Sequence, residues 1–168
     1  MEIALGDEEE QEDVLAINLK KGNATEGEDI TLVICYMTIE KGRAEREENS
    51  KKYVIVRKVI RECRGDLMIM GDLNGHIGLL GEEINGNGQL ILDFCKEEEL
   101  EILNLTRIEG AATWRGRDGA RSAIDYALVN RSMGRRVRRM WVDEERECEL
   151  RTDHNLMVVE IGSEEKKK

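Results

Sequence analysis

Apolar residues fall into short runs whose spacing changes along the chain, and each change of period marks an element. Val14 to Leu19 and Ile30 to Met37 both read as strands, and Lys20 to Asp29 between them, with Gly22, Asn23 and Gly27, reads as a turn. A hairpin is the simplest connection. Thr31 to Met37 is nearly continuous in apolar residues, the signature of a strand covered on both faces. From Lys51 to about Cys63 the period lengthens: Tyr53, Val56, Ile60 and Cys63 recur three, four and three residues apart, which predicts a helix capped by Asn49 or Ser50. Gly65 and Asp66 end it, and Leu67 to Met70 is the next strand. Strand, helix, strand predicts a right-handed crossover between parallel neighbours.

The glycine-rich segment Gly71 to Gly88 reads as a long loop, which in a compact domain is more often functional than idle. A second helix is predicted from Gln89 to about Glu99, with Leu90, Ile91, Phe94 and Cys95 facing inward. Leu100 to Leu105 fits either its last turn or a strand, and a strand over Glu101 to Leu105 is the reading adopted. A turn at Arg117 to Ala120 leads into a strand over Ala123 to Val129. Val137 to Val142 fits a strand or a short helix, and Leu156 to Ile161 reads as a closing buried strand. Residues 1–13 form an acidic lead expected to be disordered and residues 163–168 a charged tail, leaving 14–162 as one folded domain.

Composition narrows the picture. A hydrophobic fraction of 40% fits a folded protein, and with aromatics at 4% the core must be filled by Leu, Ile, Val and Met. The formal net charge of −10 argues against a generic polyanion binder. Against that background Arg115, Arg117, Arg121, Arg131, Arg135, Arg136, Arg138 and Arg139 make a local basic stretch, whose ordinary meaning is a solvated face and whose alternative is a face tracking phosphates. Cys35, Cys63, Cys95 and Cys148 have no C-x-x-C spacing, which argues against zinc and against a disulfide framework. Cys35 and Cys95 lie inside apolar runs and read as small buried hydrophobes. No secretory or membrane-spanning run is visible, so an intracellular, membrane-free location is expected.

The chemistry concentrates at strand ends. Leu67 to Gly78, LMIMGDLNGHIG, carries Asp72 and Asn74 just past a buried strand, which is where α/β sheets place reactive groups. Two further signals stand against their own apolar runs: Ile124-Asp125-Tyr126 and Thr152-Asp153-His154. Together they offer oxygen ligands and one imidazole, a set suited to Mg²⁺ or Mn²⁺ and poorly matched to a zinc cage. Such a set can support phosphodiester hydrolysis. His76, in its glycine loop, reads as a solvent-exposed side chain.

GDLN, AIDYALV and TDHNLMVVEI, in that order, resemble the C-terminal motifs of the endonuclease/exonuclease/phosphatase superfamily. The flavour is similar to the endonuclease domain of non-LTR retrotransposons and their domesticated relatives, in Gly71 to Gly78, Thr113-Trp114 and Ser122 to Tyr126. The resemblance implies an α/β fold, a four-layer α/β sandwich of two similar halves. It also implies roles: Asp72 would position or deprotonate the attacking water, and Asn74 would hold it and the phosphate. Asp153 would serve a Mg²⁺ or Mn²⁺ cofactor, and His154, oriented by Asp125, would contact the scissile phosphate. Tyr36 would reach the phosphate, with Trp114 and Arg115 beside the substrate groove. Read alone, Tyr36 is equally an ordinary strand-end tyrosine and Trp114 a core anchor.

Only 35 residues precede Tyr36, and they contain no strand-borne Asn or Glu of the family kind; Asn18 lacks the flanking residues and Asn23 sits in a predicted loop. The expectation is therefore a partial sandwich lacking much of the N-terminal half, with an apolar sheet face left uncovered and available for self-association. Three functions follow: a Mg²⁺-dependent endonuclease acting on DNA, with Arg115 to Arg139 as its DNA contact; a non-catalytic remnant or interaction module; and a phosphatase of small phosphorylated metabolites or lipids.

Overall fold

A computed structural model describes residues 13–19 and 29–162; the predicted turn over 20–28, the acidic lead up to residue 12 and the charged tail lie outside the described residues. The centre is a five-stranded sheet in the order β1-β2-β3-β7-β4. Its members are β1 (Val14–Leu19), β2 (Ile30–Cys35), β3 (Asp66–Asp72), β7 (Asp125–Val129) and the short β4 (Glu101–Ile102). β1 and β2 pair antiparallel as the hairpin reading requires, and β2 and β3 are parallel, joined through helix α1 (Arg43–Glu62). β7 enters between β3 and β4, antiparallel to both.

One sheet face is fully dressed. Val14 and Ala16, Val33 and Cys35, and Leu67 and Ile69 point to that face, where Tyr53, Val56 and Val59 of α1 meet Ile91 and Phe94 of α2 (Gly86–Glu97) in the main core. Burial pushes the thiols of Cys35 and Cys95 up to about 12, so they are the inert hydrophobes that their positions suggested.

Among the described residues the other face is covered mainly toward β3 and β7, with Ile30 and Leu32 of β2 packed at the margin of that cover. There Met68, Ala127 and Val129 pack with Met133 of α4 (Arg131–Arg136) and with Val137 and Met140 of β8 (Val137–Val142), which pairs antiparallel with β9 (Met157–Ile161). Among the described residues nothing covers it over β1 and the end of β2: Leu15, Ile17, Leu19 and Ile34 are all exposed. This corrects the reading of Thr31 to Met37 as covered on both sides, because in β2 the buried positions alternate with half-buried Ile30 and Leu32 and exposed Ile34. β9 is likewise half-buried rather than buried.

Other boundaries differ for local reasons. α1 begins eight residues before the predicted start, at Gly42 with no side-chain cap, because its first two turns are polar and carry no apolar stripe. Asn49, predicted as a cap, lies inside the helix and is fully buried. The predicted strand over 101–105 is two residues of β4 followed by the helical turn α3 (Leu103–Arg107), where Leu103 and Asn104 are buried in succession instead of alternating as a half-exposed strand would. Val137 to Val142 resolves to a strand.

Asn18 stands in β1 opposite Thr31, whose hydroxyl donates to its side-chain oxygen at 2.8 Å, at the sheet end remote from Asp72. At that same end the Arg136 guanidinium pairs with the buried Asp66 carboxylate, and its Nε donates to the Gly162 carbonyl. Asp66 and Asp72 bracket β3, about 20 Å apart at strand rise. Breaking a buried ion pair strands its partner charge. Arg136→Ala should therefore destabilise the fold by about 3 kcal/mol, measured by urea unfolding, with Asp72 and its surroundings unperturbed.

Candidate functional site

The register of β3 against β7 sets Asp72 directly opposite Asp125 at the C-terminal edge of β3. Gly71 lets β3 pass close against the end of β2 on its other side: its φ is 151°, and a Cβ there would stand 1.8 Å from the Cys35 carbonyl oxygen. Past it, Leu73 N–H donates to the Ile124 carbonyl and Met37 N–H to the Asp72 carbonyl, each at 2.9 Å, so β2, β3 and β7 end together.

His154 reaches this edge from a different direction. Thr113 follows α3, and β5 (Trp114–Arg115) forms a hairpin with β6 (Arg121–Ser122) around the predicted turn. Trp114 forms a β-bridge with His154, and Asn155 N–H donates to the Thr113 carbonyl at 2.7 Å. The His154 ring then faces both acids. Its Nδ1 lies 2.9 and 3.0 Å from the two Asp125 oxygens, and Nε2 is 3.9 Å from Asp72. The Asp125 pairing fixes the imidazole orientation, leaving Nε2 toward Asp72.

Crowding sets the protonation of Asp72. Burial, then the like charge of Asp125, raises its carboxyl from 3.8 to about 6, while the Asn74 backbone N–H, 3.0 Å from Oδ1, pulls the other way. Asn74 itself sits at φ 46°, a left-handed conformation, and its side-chain amide donates to the Met37 carbonyl at 2.9 Å. Asp72, Asp125 and His154 each place a ligand atom within 4.8 Å of the others. Two carboxylates and an imidazole suit a divalent cation that accepts oxygen and nitrogen together, with waters completing its shell.

The remaining predicted residues lie around this cluster rather than in it. Tyr36 follows β2 in step with Asp72, its ring exposed and 5.7 Å from Lys52 Nζ. Asp153 is not grouped with the two acids: the Trp114 indole N–H donates to its carboxylate at 2.8 Å and holds it below its usual range. Trp114 is thus half-buried at the surface and is not a core anchor. It lines a groove of about 1080 Å³ with Arg115, Arg117, Arg146, Arg151 and Asp153. Within it Arg115 pairs with Glu144 at 3.1 Å, a carboxylate it shares with Arg121. The predicted basic stretch divides, since Arg136 pairs with Asp66 at the far sheet end and Arg139 stacks over Trp141. His76 is half-buried, and its backbone N–H donates to the Asn85 side chain that caps α2.

Several residues support the acids from behind. The Thr113 hydroxyl accepts the N–H groups of Ile124 and Asp125 at 3.0 Å, and buried Asn104 clamps β7 by donating to the Asp125 carbonyl and accepting from Ala127 N–H. The Tyr126 hydroxyl lies 2.6 Å from the Gly75 carbonyl, tying β7 to the loop after Asn74. Of these, Tyr126 closes the Ile124-Asp125-Tyr126 signal and Thr113 stands beside Trp114, while Asn104 had no signal of its own.

Known structures place this architecture. The endonuclease domain of TRAS1, a telomere-specific non-LTR retrotransposon, superposes with a TM-score of 0.69 at 23% identity, over 89% of this chain and 61% of that one. A 3′ phosphatase from Neisseria bound to product DNA hairpin gives 0.68 at 19% identity over 90% and 65%, and an AP endonuclease from Leishmania major gives 0.66 at 12% over 88% and 54%. The fold is that of the endonuclease/exonuclease/phosphatase superfamily, and the chain spans between one-half and two-thirds of the length of these structures. The model of the endonuclease-reverse transcriptase family matches residues 30–158, so the chain belongs to that family. No curated protein matches the sequence. Among the described residues no helix is long and apolar enough to cross a membrane.

The raised carboxyl makes a prediction about stability. A folded-state value of about 6 against 3.8 means that the folded chain holds this proton more tightly than the unfolded chain. Ionised Asp72 therefore opposes folding, increasingly as pH rises from about 4 through 6 and fully above that. Asp72→Asn should stabilise the metal-free protein by up to about 3 kcal/mol at pH 7.5, with the gain gone at pH 3.5. Thermal melts in chelator across that range read both limits.

Proposed function

We infer that the chain is a divalent-metal-dependent phosphodiester hydrolase domain of the retroelement DNA-endonuclease kind. The observation that carries this reading is the arrangement of Asp72, Asp125 and His154 at one sheet edge, with the imidazole held by one acid and facing the other. Above about pH 6 Asp72 is ionised and takes a proton from an attacking water, while Asn74 holds the turn on which Asp72 stands. His154, locked through Nδ1, offers Nε2 to charge that grows on the phosphoryl oxygens. Mg²⁺ or Mn²⁺ would be held by carboxylate oxygens, those of Asp72 and Asp125 at this edge with Asp153 as a further proposed ligand, and would supply Lewis-acid stabilisation of that charge while His154 Nε2 stays free for the phosphate.

DNA is the proposed substrate. Arg115, Arg117, Arg146 and Arg151 beside Trp114 give the groove cations and one aromatic surface for a nucleic-acid backbone. Tyr36, in step with Asp72 on the neighbouring strand and 5.7 Å from Lys52 Nζ, is proposed to reach the phosphate. Residues 14–162 are proposed as the domain, and the open face of Leu15, Ile17, Leu19 and Ile34 as a surface for self-association.

A second reading is a remnant or interaction module that keeps the fold without the chemistry. It draws on Asp153, whose carboxylate is engaged by the Trp114 indole N–H rather than grouped with Asp72 and Asp125.

Supercoiled plasmid and Mg²⁺ separate the two. Wild type should nick, and Asp72→Ala and His154→Ala should each slow nicking at least about 100-fold. Equal nicking by all three means contamination, and none by wild type, with no Mg²⁺ heat in calorimetry, means the remnant.

A further inference from the structure

Asn74 is held in a left-handed conformation, and its own side chain, donating to the Met37 carbonyl, secures only part of it. An isolated Asn occupies that region only as a minority conformer, so something must hold it. Two buried asparagines do so, one in each main helix. Asn49, within α1, accepts the Thr38 N–H at 2.8 Å and donates to the Thr38 carbonyl at 2.8 Å and to Asn87 Oδ1 at 2.9 Å. Asn87, in the first turn of α2, donates to the Thr38 carbonyl and to the Asn74 carbonyl, both at 3.0 Å.

Every polar hydrogen of these two amides is used, and both side chains are out of solvent, at 0% and 2% exposure. Flipping either amide would set NH₂ against NH₂ or oxygen against carbonyl. The pair is therefore keyed to one orientation. Glu40 closes the circuit, accepting the Asn87 backbone N–H at 2.9 Å. Neither residue touches the Asp72 cluster, yet the chain from α1 through Asn87 ends on the peptide that carries Asn74.

We propose that Asn87, backed by Asn49, is a positioning residue: it holds the Asn74 peptide left-handed, so that the Asn74 N–H stays on the Asp72 carboxylate and its side chain on Met37. The effect on catalysis rests on the hydrolase reading above; the effect on Asn74 does not. A purely structural amide network would cost stability when broken but leave the Asn74 backbone where it is.

The test reads Asn74 directly. Its φ is followed by the H–N–Cα–H scalar coupling and by ¹³Cα and ¹³Cβ shifts in wild type, Asn87→Ala, Asn87→Asp and the remote control Arg136→Ala. Asn87→Asp keeps the shape and the acceptor that Asn49 uses but removes both donations, and it decides the question should Asn87→Ala fail to fold. The expected result is loss of the left-handed signature at Asn74 in both Asn87 variants, confined to residues 36–40 and 73–77, with the signature intact in Arg136→Ala. If wild type nicks DNA, the Asn87 variants should also lose kcat on the order of 100-fold with KM nearly unchanged. Asn87 variants that keep Asn74 left-handed overturn the proposal. A wild type that does not nick removes the hydrolase reading, while the coupling and shifts at Asn74 still decide the positioning role of Asn87.

Discussion

The antiparallel pairing of β3 with β7 is the constraint on which the site depends. It puts two carboxylates, Asp72 and Asp125, face to face across adjacent strands, where like charges destabilise. The fold tolerates this through three local devices. His154 takes both Asp125 oxygens, the Asn74 N–H takes one Asp72 oxygen, and Asp72 can hold a proton up to about pH 6. Remove the register and none of these partners meets, because they come from β7, the 73–85 loop and the segment before β9.

Much of the machinery away from the acids keeps that register. Tyr126 hooks β7 to Gly75, Thr113 and Asn104 grip the backbone around Asp125, and Gly71 lets β3 come within backbone contact of Cys35. Each is buried or nearly so, and each satisfies main-chain groups that a strand end would otherwise leave unpaired. The site is thus built on paired backbone more than on side-chain packing, which accounts for its survival in a domain with only 4% aromatics.

What was legible in the sequence follows from how local each feature is. β1 and β3 announce themselves as apolar runs, and the two principal helices by their stripes, because the information sits within a few residues. The first turns of α1 were invisible since Arg43 to Ser50 contains almost nothing apolar, and α3 and α4 are too short to show a period. Asp72, Asn74, Asp125 and His154 were readable as strand-end polar groups, and their convergence as a resemblance. The orientation of Asp153 was not, because it depends on the indole of Trp114, 39 residues away in sequence and brought close only by the β5 bridge. The Asn49–Asn87 pair was hidden for the same reason: one looked like a helix cap and the other like part of a glycine loop.

The uncovered face and the acidic edge are parts of one surface. Asp72, Tyr36 and Asp125 point to the same side of the sheet as Leu15, Ile17, Leu19 and Ile34, since all share the outward parity of their strands. A cavity of about 260 Å³ joins them, with Ile34, Met70, Leu150 and Leu156 on its apolar side and Asp125 and His154 on its polar side. Cover laid over β1 and β2 would therefore also wall the acids from bulk water, lowering the local dielectric and strengthening the Asp125–His154 contact. It would likewise press further on the Asp72 carboxyl, whose proton affinity already rests first on burial. Closing the apolar face and tuning the site are, in this fold, the same physical act.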